Sequence, residues 1–303
     1  MSGFFKGLKA IITGNTDELI DAVVDAGKDK LTDTVVDKVT EKATGALVDA
    51  LCGGAGDKTV AIAEGVTEVD DSTLEDYDEI EKVVFPSTLE RLSNGTFDEH
   101  SEIKYLDFSK VLKLKKIESG TFYGLDISEL NIPEGVEVLE ENAIDACKKL
   151  VRVSLPSTLK RADSFINDCP KLSSVDTSKV EKLDEFPCVV YGSNSVERLV
   201  VPEGVKNLWD TVITQGNLRE VFLPSSLESV CCIINGKRRK KLDVYLYADD
   251  LDGIDELLED TENLYVHENA VNHYCDMVDE AGAETTVRPI PESMLDYRKV
   301  YNT

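Results

Sequence analysis

Basic charge is the first thing this chain lacks. Its 33 lysines and arginines face 59 aspartates and glutamates, a formal net charge of −26. Residues 1–60 hold 7 of those basic residues against 10 acids, which leaves 26 against 49 in residues 61–303. An acidic excess of this size argues against nucleic acid as the main partner, because phosphate binding needs a basic face. Long apolar runs are also missing. No stretch reaches the roughly 18 residues that a membrane-spanning helix needs. The N-terminus shows no signal-peptide pattern: its apolar stretch is interrupted and no small-residue cleavage site follows. A cytoplasmic location is therefore expected, with surface display by another route left open.

The residues that usually carry chemistry are equally sparse. Three histidines are present, His100, His267 and His273. His267, His273 and Cys275 lie close in sequence, but their spacing matches no zinc pattern. Gly53-Gly54 lacks the lysine and spacing of a phosphate-binding loop. Carboxylates are too numerous for any pair to stand out as acid and base. No cofactor, no metal and no enzymatic activity are expected. The seven cysteines are odd in number and show no paired spacing such as C-x-x-C. Cys147 and Cys169 fall at the same place in a repeat, which favours buried thiols acting as small apolar side chains, although a bridge between them is open.

What the chain does have is a period. Short strand-like runs end at Pro86-Ser-Thr-Leu, Pro133-Glu-Gly-Val, Pro156-Ser-Thr-Leu, Pro202-Glu-Gly-Val and Pro224-Ser-Ser-Leu, with prolines 47, 23, 46 and 22 residues apart. Asp107-Phe-Ser-Lys-Val and Asp176-Thr-Ser-Lys-Val fill the two gaps, and they are 69 residues apart. A fixed period of about 23 residues is the signature of a solenoid. Within one unit, Leu150, Val153 and Leu155 trace a strand whose alternate residues point inward. Pro156 ends that strand, since it cannot donate to a ladder, and Leu159 and Phe165 return inward. The turns run in a regular order, x-Glu-Gly-Val, then Pro-Ser-Thr-Leu, then Ser-Lys-Val, beginning with Ala63-Glu-Gly-Val. This implies a duplicated three-coil unit, with a first coil near Thr59. Strands are expected near 60–62, 83–85, 106–108, 130–132, 153–155, 175–177, 199–201, 221–223 and 244–246, stacked in parallel.

The pattern L-x-x-V-x-[IL]-P-x-x-[LV], followed by Thr96-Phe97, Thr121-Phe122 or Ser164-Phe165, and then Cys147-Lys-Lys-Leu or Cys169-Pro-Lys-Leu, resembles the BspA-like leucine-rich repeat. Ile144 and Val212 depart from it where the phenylalanine stands, and His100 departs from it at the cysteine. The resemblance covers about Lys58 to Pro291. It implies an α/β right-handed leucine-rich-repeat solenoid of about eight coils. It also implies a closing strand, helix and final strand between Leu264 and Ile290. For function it implies surface display, adhesion or protein binding, with no common catalytic residues. The expected organisation is a helical N-terminal module and Gly-rich linker over residues 1–56, the solenoid over 57–263, and a cap and tail over 264–303.

Residues 1–52 contain no proline. Phe4, Phe5, Leu8, Ile11 and Ile12 recur at helical spacing, with Lys6 and Lys9 beside them. Asn15, with Glu18 three residues on, can cap a second helix. Leu19, Ile20, Val23, Val24, Leu31, Val35, Val39, Leu47 and Leu51 form its apolar face. Such a module can cap the first coil, self-associate, or rest on a membrane surface through Phe4 to Ile12. The one dense basic run, residues 237–241, reads as a solvated loop, with docking or targeting as alternatives.

The strand residues between the inward ones face the concave surface, where folding does not dictate them. One row is Lys82, Tyr105, Glu129, Arg152, Ser174, Arg198 and Glu220. The other is Val84, Asp107, Asn131, Ser154, Asp176, Val200 and Phe222. Tyr105, Phe222, Arg152 and Arg198 are residue types enriched in interface hot spots, and Glu129 and Asp176 lie among them. The expected partner is a protein, with a segment that is acidic or aromatic laid across Tyr105 to Phe222. The expected function is a non-catalytic binding or assembly scaffold. The rival is an adhesin or peripheral membrane protein anchored through residues 1–12.

Overall fold

A computed structural model of the chain describes residues 58–181, 183, 186, 195–208, 217–230 and 241–301. The helical module, residues 1–12 and most of the 237–241 run lie outside the described residues.

The fold is a solenoid of parallel strands with about nine turns of roughly 23 residues. One face is built, as three successive sheets, from Thr59–Ala61, Lys82–Val84, Tyr105–Asp107, Glu129–Asn131, Arg152–Ser154, Ser174–Asp176, Arg198–Val200, Glu220–Leu223 and Leu242–Leu246. Each strand begins one or two residues before its expected place, and every described pairing is parallel. Val60, Val83, Leu130, Val153, Leu199, Val221 and Val244 point inward and are buried. Two further faces carry two-residue strands, including Lys116–Ile117, Val138–Leu139 and Arg161–Ala162 on one. Phe122–Tyr123, Ile144–Asp145 and Ile166–Asn167 stack on the other. No coil has a closed core of its own. Side chains such as Leu89, Phe97, Leu114, Ile117, Phe122 and Leu139 bury against the coils above and below.

The pairing on that last face corrects one expectation. Ile144 pairs with Phe122 on one side and Ile166 on the other. Ile166, not Phe165, therefore stands in the phenylalanine place. The coil after Pro156 is one residue shorter, so Cys169 lies 13 residues beyond its proline where Cys147 lies 14 beyond Pro133. Both Phe165 and Ile166 are buried, so the shift costs no apolar burial.

The three-coil unit has a hydrogen-bonded cause. Each Glu-Gly-Val turn docks on the Ser-Thr or Ser-Ser turn of the next coil. The Glu64 carboxylate accepts from the backbone N–H and hydroxyl of Ser87. Glu134 does the same with Ser157, and Glu203 with Ser225. The hydroxyls of Thr88, Thr158 and Ser226 each accept from the glycine N–H and donate to the following valine carbonyl. Third coils turn on themselves instead, with Asp107 accepting from the Ser109 N–H and Asp176 from that of Ser178. After those coils the ladder breaks: Tyr105–Asp107 ends one sheet and Ser174–Asp176 another. Both breaks fall where 24 residues separate successive strands, Tyr105 from Glu129 and Ser174 from Arg198.

The closing elements are Thr261–Val266, the helix Val271–Ala281 and the strand Thr286–Pro289. Both strands extend the same sheet in parallel. Beyond them the chain turns at Pro291 into the short helix Tyr297–Val300. That last helix has no counterpart in the expected strand, helix and strand.

Candidate functional site

The strand face divides into an open part and a covered part. On the open part, Tyr105 is 62% exposed, and Glu129, Asn131 and Arg152 are also exposed. Register places Tyr105 beside Lys82, and Arg152 between Glu129 and Ser174. Opposite charges pair along the stack rather than within a strand. Lys82 Nζ lies 3.6 Å from Asp107 and Arg152 donates to Asp176 at 2.7 Å. The Ser109 hydroxyl and N–H, helped by Lys82, hold the Asp107 carboxyl below its usual range. Burial opposes the same effect at Asp176, but the Ser178 and Arg152 hydrogen bonds outweigh it. Tyr105 lies on the last strand of one sheet, and Glu129, Arg152 and Asp176 on the strands of the next.

Arg198 and Phe222 lie on the expected rows but in different surroundings. Phe222 is fully buried, which corrects the expectation of an open ring there. Its ring stacks on Tyr245 at 4.4 Å, Tyr245 stacks on Tyr265 at 4.5 Å, and both pairs are within 7° of parallel. The Arg198 guanidinium sits 4.4 Å above the Phe222 ring, and its Nε lies 3.6 Å from Glu220. An aromatic ladder therefore continues the outer row of Val200 through Phe222, Tyr245 and Tyr265 to Arg288. Residues 290–301 cover it. Ile290, Tyr297 and Val300 pack with Phe222, Tyr245 and Tyr247 in a cluster separate from the main core. The Tyr297 hydroxyl donates to the Val201 carbonyl and lies 3.0 Å from that of Phe222. Tyr247 donates to the Met294 carbonyl at 2.6 Å. Burial pushes the Tyr297 phenol well above its usual range and those of Tyr245, Tyr247 and Tyr301 up to about 12. The sequence signal for this patch was the tyrosine at an outward place in two successive strands, Tyr245 and Tyr265, which the repeat pattern does not require.

Cys147 and Cys169 are buried and free. Each thiol faces backbone carbonyls, Phe122 for Cys147 and Asn167 for Cys169. Contact with Cys147 and burial push the Cys169 thiol far up. His100 takes the matching place with Nε2 3.2 Å from the Leu74 carbonyl oxygen. His267 meets the Tyr247 ring edge-on, and His273 lies 3.6 Å from Asp250. Among the described residues no group of three or more metal-ligating side chains converges, and no helix is long and apolar enough to cross a membrane. Phe4, Phe5, Leu8, Ile11 and Ile12 lie outside the described residues.

The profile of the BspA type leucine rich repeat region matches residues 55–151 and 115–232, in 6 copies. The two stretches together span more than half of the chain. Among solved structures, similarity is found to a leucine rich cell surface protein from Faecalibacterium prausnitzii A2-165. That protein is 21% identical, with a TM-score of 0.32, over 56% of this chain and 55% of that one. A leucine-rich repeat protein from Bacteroides ovatus ATCC 8483 is 15% identical, with a TM-score of 0.35, over 77% and 84% of the two chains. The pneumococcal vaccine antigen PcpA is 13% identical, with a TM-score of 0.35, over 77% and 79%. The chain thus spans about half the length of the first of these, 55%. Curated protein sequences give no match.

Proposed function

Because the chain belongs to the BspA type leucine rich repeat family, we propose that it is a non-catalytic protein-binding scaffold whose strand face holds a segment of its partner. The observation that carries this reading is the open part of that face. Tyr105 stands 62% exposed there, in a position where the core needs nothing from it. Arg152, itself exposed, donates to the half-buried carboxylate of Asp176. A partner carboxylate can replace Asp176 on that guanidinium, and an aromatic side chain can lie against the Tyr105 ring. The exposed ion pairs are themselves worth little, so exchanging one for a partner contact costs little.

The test is crosslinking mass spectrometry with a photoreactive side chain placed at Tyr105 or at exposed Leu112 as control. Crosslinks to one protein at the first position and not at the second support the reading. Tyr105→Ala and Arg152→Ala should each weaken that complex by about 1–3 kcal/mol and leave thermal stability within about 0.5 kcal/mol of the parent. A complex indifferent to both substitutions would place the interface elsewhere on the chain.

A further inference from the structure

The tail that covers the aromatic ladder is built like a ligand rather than like a coil. Ten residues follow Pro291 to Tyr301, and only Tyr297 and Val300 are buried. Glu292, Ser293, Leu295, Asp296, Arg298 and Lys299 are all exposed. Its path runs back along the stack, against the order of the coils. Ile290 donates to Val266, Met294 receives Tyr247, Tyr297 reaches Val201 and Phe222, and the Tyr301 ring meets that of Tyr297 edge-on. It crosses the strand face by adding no strand to the sheet. One tyrosine anchors it, through its ring against Tyr247 at 4.7 Å and through its hydroxyl to the carbonyls of two neighbouring coils.

Net charge is not what seats the tail. Arg298 and Lys299 are the basic residues of the tail helix. The face it covers carries both signs, with Arg198 beside Glu220 and Arg288 next to Tyr265. Glu292 and Asp296 balance Arg298 and Lys299, and Lys299 pairs with Asp296 itself, so stacked rings and strand-end carbonyls hold the tyrosine-anchored segment rather than net charge.

We propose that residues 291–301 are a displaceable resident of a peptide-docking site, and that the covered half of the strand face takes a partner segment anchored as the tail is, by a tyrosine whose ring stacks there and whose hydroxyl reaches the carbonyls of two neighbouring coils. The tail gates that half. This rests on the strand face being the binding surface, and it adds both the partner chemistry and the regulation. Displacement leaves the main core intact, because the covered rings form a cluster of their own. The exposed ladder then joins the open part of the face into one continuous surface from Lys82 to Arg288.

The test uses the full-length chain and a labelled synthetic peptide that carries the sequence of residues 292–303. In Tyr297→Ala the anchor is lost and the tail should undock, seen as faster amide exchange in residues 290–301 and as tryptic cleavage after Arg298 and Lys299. The peptide should bind Tyr297→Ala at least about tenfold more tightly than it binds the parent, whose tail competes. Tyr297→Phe keeps the ring and guards against a misfolded alanine variant; it should give an intermediate result. A peptide with phenylalanine in place of its tyrosine should bind roughly tenfold more weakly. Equal binding to parent and variant overturns the gate. Binding to neither, with the tail undocked, overturns the docking site. A parent dimer held by exchanged tails also overturns it, because the site would then serve a second copy. None of these outcomes moves the Tyr105 crosslinks, so the fate of the scaffold reading is read separately.

Discussion

Gly135 shows how one residue can be dictated by its neighbour coil rather than by its own. Its φ is +106°, a conformation that side chains rarely adopt, and a Cβ there would sit 2.4 Å from the Leu112 carbonyl oxygen. Its N–H is also taken by the Thr158 hydroxyl from the other side. Gly124 has φ +69° but nothing within 4 Å of a Cβ. Gly135→Ala should therefore cost about 2–4 kcal/mol, from strain plus a displaced coil. Gly124→Ala should cost only the left-handed penalty of about 1–2 kcal/mol. Chemical denaturation of the two variants checks the difference, and equal losses would mean that the close approach to Leu112 contributes nothing. The Glu-Gly-Val motif was visible in the sequence. That its glycine is squeezed between two coils was not, because the contact lies more than twenty residues away.

The tail is the element whose behaviour depends most on pH. A phenol with a raised folded pKa contributes stability that is complete below the unfolded value, about 10. That contribution is lost as pH rises through the folded value. Tyr245, Tyr247 and Tyr301 are pushed up to about 12, and Tyr297 well above its usual range, in each case first by burial. The window for tail release is therefore about pH 10 to 12. Tyrosinate absorbance should rise there together with amide exchange in residues 290–301, before the solenoid itself unfolds. Simultaneous loss of both would show that tail and core form one cooperative unit. The short helix at the other end, Asp71–Leu74, is set up differently. Asp70 and Thr73 form a reciprocal capping box, so its start was legible as local chemistry. The tail helix has only Asp296 as a cap and owes its position to packing.

At the scale of the whole molecule, net charge opposes folding. With 59 acids against 33 basic residues, repulsion between coils acts over the Debye length, which falls from about 30 to about 10 Å between 0.01 and 0.1 M salt. The ion pairs between coils, such as Lys104 with Glu81 and Lys160 with Glu137, are exposed and contribute little each. The melting temperature should thus rise with salt by about 2–5 °C over that range; a fall would mean that the pairs outweigh the repulsion. The amino-acid order by itself determined the period, the inward residues and the parallel stacking. Each of these follows from alternation and turn chemistry inside a single coil, repeated. It also determined which residues share a row, so Glu129 and Arg152 could be placed in one row and Ser154 and Asp176 in the other before any coordinates. The tertiary structure alone decided the one-residue slip that puts Ile166 in the phenylalanine place, the breaks in the ladder, and the burial of Phe222 beneath Tyr297. Those features arise between segments distant in the chain, where Tyr297 and Phe222 are 75 residues apart, and periodicity carries no information about which distant apolar side chains meet.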